Sequence, residues 1–291
     1  MTIGLGTAQF GLDYGISNSS GQVAAQEVES ILGYAQSQGI CVLDTAPAYG
    51  QSEDTLGALA DDSFRIVTKT RVDLGSGRTV AEDLDCSLKR LRRDRIHGLL
   101  LHRSSALTGP GGEQIYAELV RLRESGRIRR FGVSIYDSRE LDAILGRYEI
   151  DLIQAPLNVF DQRLLDDGML RRLKALGVEI HTRSVFLQGL LLMEPGQLEG
   201  PLAKYRERLS AFRECCRSMH VTTVEAALGF VQAVAEVDVM LVGVVCRSHL
   251  EEIVAASRVN LDVDRLREFA CSDEVLINPS QWPQRPVQLV K

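Results

Sequence analysis

Apolar and polar positions alternate along the chain in two rhythms. Short continuous runs, such as Ile40-Cys41-Val42-Leu43 and the stretch Ile96–Leu101, read as strands buried on both faces. Between them, apolar residues recur at helical spacing, as Val28, Ile31, Leu32 and Ala35 do within 24–38, and Leu84, Leu88 and Leu91 within 79–92. In order, the pattern predicts strands over 3–6, 40–44, 64–69, 96–101, 128–134, 152–154, 178–182 and 237–242. Helices are predicted over 24–38, 52–60, 79–92, 113–125, 138–147, 163–176, a longer region 203–235, and 248–257. Eight strand–helix units over some 250 residues are what a (β/α)8 TIM barrel requires, so the expectation is a single-domain α/β barrel over 1–271. Residues 272–291 read as a polar tail packing on the barrel, with three prolines and the only tryptophan, Trp282.

Each predicted strand ends in something polar: Gln9 just past the first, then Asp44, Lys69, His102, Ser134, Gln154, and Arg183 with Ser184. In a barrel, chemistry sits at the C-terminal ends of the strands. An acid ending a buried strand is costly unless paired, and Lys69, ending the neighbouring strand, is the natural partner of Asp44. Tyr49 follows Asp44 by five residues, in a loop above this pair. A nearby ammonium lowers a phenol from its ordinary value of about 10, so Tyr49 is expected to exchange a proton near neutral pH. His102 is expected to hydrogen-bond a carbonyl oxygen in the same place. The set suits proton transfer to a carbonyl oxygen and supplies no nucleophile.

Composition adds mainly exclusions. With 45% apolar and 25% charged residues and a net charge of −6, the chain lacks the basic surface of a nucleic-acid binder. No apolar run approaches the ~20 residues of a membrane span, and the N-terminus lacks signal-peptide character. Six cysteines without Cys-x-x-Cys spacing read as reduced thiols of a cytoplasmic protein, with Cys215 and Cys216 packed in a helix. The five histidines form no metal-ligand spacing, so no metal is expected. Gly4-x-Gly6 lacks the third glycine of a dinucleotide fingerprint, and no Gly-x-Ser-x-Gly elbow occurs. The basic run from Lys89 to Arg93 reads as a solvated helix end.

Several segments resemble the aldo-keto reductases: Gly4-Leu5-Gly6-Thr7-Ala8-Gln9-Phe10-Gly11, Asp44-Thr45-Ala46-x-x-Tyr49-Gly50-x-Ser52-Glu53, Thr68-Lys69, Leu101-His102, Gly132-Val133-Ser134 and Gln154-x-Pro156-x-Asn158. The resemblance runs in order to about residue 257. It implies the same barrel, a tetrad of Asp44, Tyr49, Lys69 and His102, and NADP(H) extended across the barrel mouth, with a small-molecule carbonyl or alcohol as substrate. It further implies cofactor contacts at Gly6, Thr7 and Ala8, at Ser134 and Gln154 for the carboxamide, and at Arg183, Ser184, Phe186, Gln188, Gly189 and Leu190. Around the adenosine it implies Gly243, Arg247, His249 and Glu252. The chain departs from the family pattern where Ile135 follows Ser134, where Arg183 replaces a stacking tyrosine, and in the 2′-phosphate clasp. There Gly243, Val244, His249 and Ile253 stand for the usual Lys, Ser, Arg and Asn. Arg247 and its helix N-terminus remain as phosphate contacts, and the altered clasp makes NAD(H) the alternative cofactor. The loops 103–112 and 183–201, with the tail around Trp282, are expected to line the substrate pocket. Two other roles fit the same residues: a barrel with weak or no nicotinamide binding that regulates or binds, and a lyase or isomerase using the same Tyr and Lys.

Overall fold

The computed structural model describes residues 1–72 and 77–282. Residues 283–291, which hold two of the three tail prolines, lie outside the described residues. Eight parallel strands close into a barrel: β1 (Thr2–Gly6), β2 (Val42–Asp44), β3 (Arg65–Thr70), β4 (Ile96–Leu101), β5 (Ile128–Ser134), β6 (Leu152–Pro156), β7 (Glu179–Arg183) and β8 (Val239–Gly243). Closure runs through β1 and β8, in register from Thr2↔Val239 to Gly6↔Gly243. Alternate residues point inward, so Val42, Val67, Leu100, Leu152, Val239 and Leu241 form a separate apolar layer inside the ring. A larger core fills the space between the ring and the helices.

The helices are α1 (Ala25–Ser37), α2 (Ser52–Leu59), α3 (Val80–Leu91), α4 (Ser105–Thr108), α5 (Gly112–Glu124), α6 (Arg139–Leu145), α7 (Arg163–Asp166), α8 (Met169–Ala175), α9 (Arg206–Ser218), α10 (Thr223–Gln232), α11 (Arg247–Ala256) and α12 (Glu274–Ile277). Two predicted helices divide. The segment 163–176 breaks at Gly168, whose φ of +75° lies in the left-handed region. The region 203–235 opens with a 3-10 turn at Gly200–Tyr205 and breaks after α9, where Thr222 caps α10 by accepting the Glu225 N–H. The basic run is solvated only in part: Lys89 and Arg92 are exposed, but the other two are engaged. Arg90 reaches inward to the buried Glu53, its Nε 2.7 Å from Oε2, and Arg93 pairs with Asp62. In the tail, Trp282 is buried and donates its indole N–H to Val275 O at 2.8 Å. No helix among the described residues is long and apolar enough to cross a membrane.

Candidate active site

The alternation that buries Val42 and Val67 also turns Asp44 and Lys69 inward, two residues higher on adjacent strands. Their side chains meet at the open rim. Lys69 Nζ lies 2.6 and 2.8 Å from the two Asp44 carboxylate oxygens and donates to Thr45 O at 3.1 Å. Both residues are almost wholly buried. Gln154, in from β6, donates its amide to Asp44 Oδ1 at 2.6 Å. Tyr49 leans over the pair, its hydroxyl 3.4 Å from Lys69 Nζ. His102, one residue past β4, faces the same space with its Nδ1 unpartnered.

The loop carrying Tyr49 is held tightly. Gly50 takes a φ of +56°, and Gly11 packs so closely beneath that a Cβ there would lie 1.8 Å from Tyr49 O. Ser52 does not cap α2. Its hydroxyl lies 2.7 Å from Thr7 Oγ1 and 3.0 Å from Thr45 Oγ1, and it donates to Thr7 O at 2.9 Å. Glu53 accepts from Thr68 Oγ1 at 2.6 Å. These buried links tie the Tyr49 loop to β1 and β3, and a satisfied buried network of this kind fixes geometry.

The charge balance differs from the sequence expectation in one respect. Lys69 does not bring the Tyr49 phenol down. Burial first, and the Asp44 carboxylate second, raise it well above the usual tyrosine range, while Arg183 acts weakly the other way. Burial likewise lowers the Lys69 ammonium, and Asp44 opposes that fall. The His102 imidazole is pushed down to about 4, by burial first and then by Lys69 and Arg71, so it is neutral at pH 7. Tyr49 is thus a protonated phenol beside a neutral imidazole.

A cleft of about 880 Å³ runs from this cluster across the mouth to α11. Of the expected cofactor contacts, Gly6, Ala8, Ser134, Gln154, Arg183, Ser184, Phe186, Gln188, Gly189, Gly243, His249 and Glu252 line it. Three others do not. Thr7 turns its hydroxyl to Asp44 O and Ser52, and Leu190 is in the core. Arg247 is drawn away from the cleft, its Nε 2.7 Å from Glu251 Oε1 and its guanidinium over the Tyr34 ring. The loop 183–201 reaches the cleft only as far as Leu192, and Pro279 and Ser280 border it where Trp282 was expected.

Sequence reasoning missed the loop after β1. Tyr14 and Ser17 to Ser20 line the cleft, with Tyr14 accepting from Gln188 Nε2 at 2.9 Å and Ile16 N–H donating to Gln188 O at 3.2 Å. This strap lies across the β7 loop, where Ser184, Leu187 and Gln188 all take positive φ. Asn158 Nδ2 donates to Ser184 O at 3.0 Å and helps hold that turn. The Gln154-x-Pro156-x-Asn158 motif was the available signal.

An extended nicotinamide dinucleotide fits what is there. The cleft is long, and Gln154 Oε1 is buried without a partner, an acceptor suited to an amide N–H of a carboxamide.

Residues 2–273 match the family model described as "Aldo/keto reductase family". Among curated relatives, the chain is 32% identical to aldo-keto reductase YhdN of Bacillus subtilis over 145 residues, which is 45% of this chain and 43% of that protein. It therefore spans less than half the length of that relative. It is 26% identical to the NADH-specific methylglyoxal reductase of Escherichia coli over 276 residues, 80% of this chain and 84% of the relative. The holo form of aldo-keto reductase AKR11C1 from Bacillus halodurans shares the fold, with a TM-score of 0.74, 21% identity, and coverage of 92% and 90% of the two chains. The chain belongs to the aldo/keto reductase family.

Proposed function

We propose that this enzyme reduces the carbonyl of a small molecule with Tyr49 as the proton donor. The observation that carries the reading is the Tyr49 hydroxyl within 3.4 Å of Lys69 Nζ, at the rim of a cleft long enough for a dinucleotide. A reduced nicotinamide held along the cleft would supply the hydride that the carbonyl carbon takes up. Tyr49 gives its proton to the oxygen, which leaves as the alcohol. Its raised pKa keeps the phenol protonated and ready as the acid. Lys69 donates toward the phenol oxygen and stabilises the phenolate left behind. Asp44 holds Lys69 in place and is held in turn by Gln154. Neutral His102 orients the carbonyl by hydrogen bonding. Ser134 and Gln154 are the candidates for the carboxamide, and Ser184 to Gly189 for the pyrophosphate.

The adenosine end favours NAD(H) over NADP(H). The Arg247 backbone N–H at the start of α11 is already taken by the Glu27 carboxylate, 2.6 Å from Oε1, and Arg247 itself is paired to Glu251. A helix N-terminus that would attract a 2′-phosphate is thereby given a negative charge instead. Glu252 lines the same end, where its carboxylate can accept from ribose hydroxyls. A cytoplasmic location belongs to the same proposal, supported by six cysteines carried as free thiols. So does the division into a barrel over 1–271 and a flanking tail, supported by Pro279 and Ser280 at the cleft edge.

The test is to mix the purified enzyme with NADH or NADPH and a panel of aldehydes, and follow the loss of nicotinamide absorbance. Turnover with wild type and its loss in Tyr49→Phe is the expected result. Full activity in that variant would refute the assignment.

A further inference from the structure

We propose, building on the reductase reading above, that the substrate carries an anionic group, carboxylate or phosphate, recognised by Arg71 and Arg103. The catalytic end of the mouth is strongly cationic for an acidic protein. Lys69, Arg71, Arg103, Arg139 and Arg183 line it, against the carboxylates Asp44 and Glu140. Most of these charges are accounted for. Lys69 and Asp44 cancel, and Arg139 pairs with Asp137 at 2.7 Å. Glu140 accepts from the N–H groups of Tyr136 and Asp137 and from the Ser104 hydroxyl. Arg183 lies over the Tyr136 ring and donates to Ile135 O. Among the described residues, Arg71 and Arg103 have no ion pair with any carboxylate, so their charge at this end of the mouth is not cancelled by a partner.

Position gives these two charges a target. Arg71 directly follows β3 and lines the cleft together with His102, and Arg103 directly follows His102 and lines the adjoining side pocket with it. In the closed order of the strands, β3 and β4 lie across the ring from β7 and β8, whose loops line the opposite end of the cleft. Both residues therefore sit at the side left for substrate, away from the loops assigned to the dinucleotide. A side pocket of about 360 Å³ opens from His102 and is lined by Arg103, Ser105, Thr108 and Ser134. It has room for a short arm ending in an anion, and a guanidinium fork matches carboxylate or phosphate oxygens in pairs. Excess positive charge in a cleft also concentrates anions there.

The experiment compares matched substrates that differ only in charge: 4-oxobutanoate against butanal, and glyceraldehyde 3-phosphate against glyceraldehyde. The expected result is a kcat/KM roughly 10- to 100-fold higher for at least one anionic member. The pair that shows it separates carboxylate from phosphate as the group read. Arg103→Gln and Arg71→Gln should each collapse that ratio toward one, with Arg103→Lys recovering part of it, and added salt should lower it in wild type. Equal use of charged and neutral partners overturns the proposal while leaving the reductase reading intact. If no aldehyde is reduced, the reductase reading fails and calorimetry on the enzyme still decides the anion site. Binding of succinate or inorganic phosphate that Arg103→Gln abolishes supports it, and absence of binding overturns it.

Discussion

Lys69 Nζ sits 2.6 Å from Asp44 Oδ1 but 3.4 Å from the Tyr49 hydroxyl, so the ammonium is committed to the carboxylate and only leans on the phenol. The phenol feels burial and the Asp44 charge more than it feels the lysine, and its pKa goes up. Removing its hydroxyl in Tyr49→Phe should lower the turnover number for reduction by roughly 100- to 10,000-fold, the usual worth of a positioned proton donor. The ring keeps its place, so the dissociation constant for cofactor, read by fluorescence titration, should change little.

The same electrostatics set a pH profile. Reduction needs the acid form of Tyr49. An upward shift from the ordinary value of about 10 keeps that form populated across the neutral and mildly alkaline range. His102, held at about 4, does not change charge near the usual histidine value. The reduction rate should therefore be flat from about pH 6 to about pH 9, with an acid limb only as pH falls toward that of the imidazole. A break near 6.5 in the turnover number would contradict the assignment of His102 as a neutral hydrogen-bond partner.

Asp44→Asn tests the pair itself. Lys69 is buried and would lose the carboxylate it is paired with. Breaking a buried pair from one side costs about 3 kcal/mol or more, up to the point where the lysine sheds its proton. Chemical denaturation should show that loss, and Asp44→Asn combined with Lys69→Met should regain much of it without regaining activity. Equal stability of wild type and Asp44→Asn would show that the pair does not anchor the rim.

The clustering of the four candidate residues was legible because strand alternation turns Asp44, Lys69 and His102 inward at successive strand ends, and a five-residue loop can bring Tyr49 back over them. Closure of the barrel followed from the regular recurrence of strand and helix. The errors came from contacts that local pattern does not encode. Arg247 looked available for a phosphate because its competitor Glu27 lies 220 residues earlier in the chain. Its other partner, Glu251, is four residues on along the same helix and could have been read. Thr7 was expected among the cofactor contacts from the resemblance alone, and its hydroxyl is used to brace Ser52. Tyr14 was missed because the loop after β1 has no periodicity, and only its hydrogen bonds to the β7 loop bring it over the cleft. The Tyr49 shift was misjudged because proximity of an ammonium was weighed without the burial that surrounds both groups.

The proposed preference for NAD(H) makes Glu27 the residue to change. Wild type should bind NADH more tightly than NADPH, because the α11 N-terminus already holds a carboxylate. Glu27→Gln should improve NADPH binding and leave NADH nearly unchanged, and Glu27→Lys should improve it further. An effect of roughly 5-fold or more corresponds to removing one adjacent charge, worth ~1 kcal/mol. Dissociation constants from fluorescence titration at fixed ionic strength measure this directly. Identical values for NADPH in wild type and both variants would mean that the phosphate never approaches this helix.

At the opposite end of the barrel, stability should depend on Glu179. Its carboxylate is mostly buried, and burial alone would raise its pKa. Hydrogen bonds from His181 at 2.8 Å and His97 at 3.1 Å override that and hold it well below the usual glutamate range. Arg130 Nε lies 2.6 Å from the second oxygen. A group whose folded pKa is depressed contributes stability above its unfolded value of about 4.3, and that contribution is lost as pH falls through the folded value. Glu179→Gln should therefore be less stable than wild type at pH 7, by about 1–3 kcal/mol as expected for hydrogen bonds to a charged group. The gap should close as the pH drops below about 4, where wild type begins to lose the same contribution. Denaturant midpoints for both proteins at several pH values check this, and a gap that stays constant into strong acid would mean the cost is one of packing, with the charge playing no part.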